Sequence, residues 1–89
     1  MANKRTLKRS INLICDELLI ECVAASRYGN EKNEDNRDAL LYSIVKLQDN
    51  FTRRVSHPEP GMAPKQYYKD LKEKFALQVS EIADQINNL

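Results

Sequence analysis

Few side chains in this 89-residue chain could do chemistry. The one histidine, His57, stands in "SHPEPGMAP", Ser56 to Pro64, which also holds all three prolines and one of the two glycines. Catalysis by proton or group transfer needs a base held beside a nucleophile, or two carboxylates facing each other in a cleft. Glu59 lies two residues from His57, but Pro58 between them keeps that backbone extended, so the spacing does not make the side chains converge. Together they would still be short of the ligands a metal requires. There is no glycine-rich phosphate loop. The residues therefore give no catalytic, cofactor-binding or metal-binding set, and the chain is not expected to be an enzyme.

Cys15 and Cys22 are the other reactive pair. Seven residues along a helix is about 10.5 Å, beyond the Cα separation a disulfide tolerates. Two thiolates without a neighbouring histidine also lack the number and geometry of a zinc site. They read as small buried hydrophobes of a reducing compartment. The Asn50-Phe51-Thr52 acceptor pattern falls within a helix and carries no weight.

The first residues, "MANKRTLKRSINLICDELLIECVAA", have the outline of a secretion signal, with basic residues before an apolar stretch ending in small ones. Asp16, Glu17 and Glu21 interrupt that stretch, and a translocated or membrane-spanning segment needs a run free of charge. It reads as a retained amphipathic helix, and the expectation is a cytoplasmic protein with no membrane insertion.

The elements follow from the period of the apolar residues. Leu7, Ile11, Ile14, Leu18, Cys22 and Ala25 step by three or four, the period of a helix and not of a strand. The first helix is predicted over about residues 6–28, with Gly29 at its C-terminal turn. Asn33 is placed to cap a second helix over 34–56, whose stripe is Leu40, Ile44, Leu47, Phe51 and Val55, flanked by Leu41 and Val45. Pro58, Pro60 and Gly61 then break the chain, and Pro64 suits the first position of a third helix over 64–87. Its face is Tyr68, Leu71, Phe75, Val79, Ile82, Ile86 and Leu89. With 42% hydrophobic and 30% charged residues, the chain should fold as one helical domain. Three helices joined by short loops predict an all-α, antiparallel up-down-up bundle.

Two features exceed what such a bundle needs. Leu13 and Ile20 fall on the far side of the first helix from its main stripe, with Ala24 beside them and Leu19 and Val23 at the flank. Only two other helices can cover that helix, so the second stripe predicts self-association, most simply as a symmetric homodimer. Charge is also uneven. In an up-down-up bundle, Lys4, Arg5, Lys8, Arg9, Arg53, Arg54, Lys65 and Lys69 gather at one end, opposed there by Glu59 and Asp70. That end carries +6, and the rest −5, of a chain whose net charge is +1. Bases in the first turn of a helix also oppose its dipole, at a cost of about 0.3–1 kcal/mol. The basic pole, with His57 and the 56–64 loop, is a candidate surface for an acidic protein or for nucleic-acid phosphate, with Tyr67 available for stacking.

The segments "ECVAASRYGN", "QDNFTRRVSHPEPGM" and "VSEIADQINNL" resemble a family of short, uncharacterised all-helical bacterial proteins over nearly the whole length. The resemblance implies a bacterial helical domain and transfers no functional residues. The expectation is a helical interaction or scaffolding protein that self-associates, or alternatively a nucleic-acid-binding accessory protein using the basic pole.

Overall fold

The computed structural model describes residues 4–27 and 34–89. Three helices make up the fold: α1 (Lys4–Arg27), α2 (Glu34–Ser56) and α3 (Pro64–Asn87). Among the described residues there is no strand, and no helix is long and apolar enough to cross a membrane. The predicted bounds of α2 and α3 match those observed, and α1 already runs at Lys4 instead of starting at Thr6. Tyr28, the expected end of α1, and Gly29 and Asn33, the expected turn and cap, lie outside the described residues.

Each helix buries one stripe in a shared core. From α1 come Ile11, Cys15, Leu18 and Cys22, from α2 Leu40, Ile44, Leu47, Phe51 and Val55, and from α3 Leu71, Phe75, Ile82 and Ile86. Phe51 is wholly buried and meets Phe75 edge to face at 5.2 Å. A side chain of this size contributes about 1.5–3 kcal/mol by leaving water.

The α1/α2 seam is held by directional contacts as well. Gln48 Nε2 donates to Asn12 Oδ1 at 2.8 Å, and the Cys22 thiol approaches the Arg37 carbonyl at 3.8 Å. Both require antiparallel helices, with residue 12 level with 48 and 22 level with 37. By sequence Gln48 is a polar residue near the middle of the α2 stripe. Its partner on the neighbouring helix makes it a pin for the register.

The corner between α2 and α3 answers why "SHPEPGMAP" has its form. The last carbonyls of a helix have no partner within it. Here the Tyr67 hydroxyl donates to the Arg54 carbonyl at 2.9 Å, with His57 O at 3.4 Å, and the Tyr68 hydroxyl donates to the Val55 carbonyl at 3.0 Å. His57 N–H satisfies the Arg53 carbonyl at 3.1 Å. The start of α3 thus caps the end of α2, and the prolines turn the chain so that it can. Pro64 opens α3 after Ala63, which provides no side-chain cap. Gly61 has no left-handed φ, and a Cβ placed on it would meet nothing within 4 Å. Its position therefore does not demand glycine.

Two apolar residues predicted for the stripes lie elsewhere. Ile14 is 38% and Val45 52% exposed. Ile14 sits where α1 and α3 stand apart, and Val45 points to the outer edge of α2; helical period alone could not show where neighbours end.

Candidate functional site

The first candidate surface is the far face of α1. Leu13 is 59% and Ile20 68% exposed, and Ala24 and Val23 are exposed with them. On an ideal helix Leu13 and Ile20 lie about 20° apart and roughly opposite Ile11, Cys15, Leu18 and Cys22. Burying that stripe against α2 and α3 leaves this one in solvent. The structure brings Leu13, Ile20 and Ala24 onto one face, as their spacing predicts.

The second is the basic pole. The starts of α1 and α3 and the end of α2 share one end of the bundle, as the Asn12–Gln48 and Tyr67–Arg54 contacts require. Lys4, Arg5, Arg9, Lys65, Lys69 and His57 are exposed there, and Lys8 is half-buried. The two arginines at the end of α2 are already engaged. Arg53 pairs with Asp49 at 3.3 Å, and the half-buried Arg54 stacks its guanidinium 5.0 Å from the Phe51 ring centre. Tyr67, expected as a stacking ring, is half-buried against Tyr68 with its hydroxyl committed to the α2 carbonyls. What remains open is chiefly the first turns of α1, which hold no acidic residue. His57 and Glu59 line one shallow basin with Tyr67 and Lys74, and no hydrogen bond joins their side chains.

The third surface was not foreseen. Between α1 and α3 runs an open groove of about 470 Å³, floored by Leu7, Ile11, Ile14, Leu71, Phe75 and Val79. Thr6 and Ser10 on one lip and Lys72 and Ser80 on the other supply its few polar atoms, with Ala76 between the latter two. The small residues Ala76 and Ser80 were the available signal, since they cannot reach across to α1.

Cys15 and Cys22 are free and buried, as expected. Burial, and secondarily the Asp16 carboxylate beside it, pushes the Cys15 thiol up from an ordinary 9.0 to about 11. Burial also raises Cys22; Arg37 opposes that shift and Asp38 adds to it. Neither is a poised nucleophile, because the reactive species is the thiolate. Among the described residues no group of three or more His, Cys, Asp or Glu could hold a metal ion. Compared with family models, curated proteins and solved structures, the chain matches none.

Proposed function

We propose that this chain is a helical interaction module that self-associates through α1, with Leu13, Ile20 and Ala24 at the contact. The observation that carries this reading is the second apolar stripe: two large aliphatic side chains, two helical turns apart, more than half exposed on a helix whose opposite face is fully buried. A symmetric pair covers such a stripe with its own copy and needs no other partner. Light scattering at tens of micromolar tests it, with a dimer expected. Leu13→Glu places a charge on the stripe and should give monomers of unchanged helicity. A monomeric wild-type protein, or assembly unaltered by that substitution, defeats the reading.

A second reading rests on the basic first turns of α1. Lys4, Arg5, Lys8 and Arg9 have no ion-pair partner among the described residues, and such a cluster attracts phosphate. It predicts binding to generic DNA or RNA at low salt that weakens steeply as salt rises. Leu13→Glu would leave that binding largely intact. No affinity at low salt would remove the reading.

A further inference from the structure

We infer that the occupant of the exposed α1 face is α1 of a second copy, running antiparallel, with its two-fold axis at Leu13 and with Arg9 of each chain paired to Asp16 of the other. This rests on the self-association proposed above and adds its orientation and register.

The charge pattern along α1 selects this geometry. Basic residues Lys4, Arg5, Lys8 and Arg9 occupy the first turns, and Asp16, Glu17 and Glu21 follow Leu13. With Leu13 at the centre of the contact, Arg9 and Asp16 lie about 40° and 60° to one side of the seam, and Ser10 and Glu17 about 60° and 40° to the other. Arg9 and Asp16 are exposed, and neither has an ion-pair partner among the described residues.

Three arrangements of two α1 helices can be weighed. A parallel pair sets Asp16 of each chain beside Glu17 of the other, and Arg9 beside Ser10, so carboxylate meets carboxylate and no unlike charges are opposed. An antiparallel pair matching Leu13 with Ile20 has its axis between residues 16 and 17, which gathers two Asp16 and two Glu17 carboxylates at the centre. An antiparallel pair about Leu13 brings Arg9, four residues before the axis, beside Asp16 of the other copy, three residues after it. The axial mismatch is about 1.5 Å, within reach of an arginine, and both lie on the same side of the seam. On the other side Ser10 meets Glu17, a hydroxyl donor with a carboxylate acceptor. Each contact occurs twice by symmetry. Leu13 packs on its own copy, and Ile20 lies over Thr6. Only this register opposes unlike charges, and like-charge contact is an effective means of excluding the others.

Charge exchange at these exposed positions tests the register without disturbing the core. By sedimentation equilibrium at low salt, Arg9→Asp alone and Asp16→Arg alone should each dimerise at least tenfold more weakly than wild type. Mixing the two in equal amounts should restore a dimer, a heterodimer, because each then supplies the charge the other lacks. The double variant Arg9→Asp/Asp16→Arg should restore the homodimer. Separately, Leu13→Cys should form a disulfide-linked dimer under mild oxidation, whereas Ile20→Cys should not, since those positions lie about 21 Å apart along the axis in this register. A wild-type monomer overturns the self-association itself. A wild-type dimer whose single variants assemble normally, whose mixture shows no preference, or which cross-links equally well at residue 20 overturns the antiparallel register alone.

Discussion

The two seams that α1 makes with its neighbours are built differently. Against α2 it presents Cys15, Leu18 and Cys22, fully or nearly buried, and a hydrogen bond from Gln48 to Asn12. Against α3 it presents Leu7 and Ile14 across a groove that stays open to solvent. A closed seam admits polar pins that set register, because a donor and an acceptor can be held at bonding distance. The open seam has an apolar floor with its polar side chains held apart on the two lips, so no bond across it fixes the register. Stability in this fold should therefore concentrate in the seams that α2 makes, while the outer faces of α1 are free to serve association.

Substitutions graded across the seams would break or sharpen that contrast. The largest effect is expected from Phe51→Ala at the centre of the bundle, about 3–5 kcal/mol in denaturant unfolding, a large part of what so small a fold possesses. Alkaline pH should come next and should act on the closed seam. The folded Cys15 thiol titrates near 11 against 9.0 ordinarily, so the unfolded chain loses its proton first. Its contribution is complete below pH 9.0, falls as pH rises, and is gone above about 11. Cys15→Ala should flatten that stretch of the stability profile. Gln48→Ala, which leaves Asn12 able to bond water, should cost about 0.5–1.5 kcal/mol, and a double-mutant cycle with Asn12→Ala should recover most of it as coupling. Ile14→Ser in the open groove should fall within about 0.5 kcal/mol. A cost for Ile14→Ser as large as that for Gln48→Ala would show that the two seams are equivalent.

The helices and their buried stripes were legible because helical period and punctuation are local. Pro58, Pro60 and Pro64 mark the break whatever lies around them. The outward placement of Leu13 and Ile20 was legible for the same reason, since the angle between two positions on one helix is set by their spacing. What escaped depended on distances between helices. Ile14 shares its period with Leu7 and Leu18, and only the separation of α1 from α3 turns it from core to groove wall. Tyr67 resembled a free ring near basic residues until the carbonyls of α2 appeared within reach of its hydroxyl. Gln48 could not be told from a surface glutamine without Asn12 opposite.

The tyrosine corner also bears on the order in which the bundle assembles. Tyr67 reaches Arg54 and Tyr68 reaches Val55 across thirteen residues of chain, whereas Gln48 reaches Asn12 across thirty-six. Closing the longer loop costs about 0.9 kcal/mol more chain entropy than closing the shorter one. The Cys22–Arg37 contact, however, closes only fifteen residues, so by chain entropy the α1–α2 and α2–α3 hairpins start on nearly equal terms. The central helix α2 belongs to both hairpins, so either can form first and the third helix then docks on the side of α2 left open.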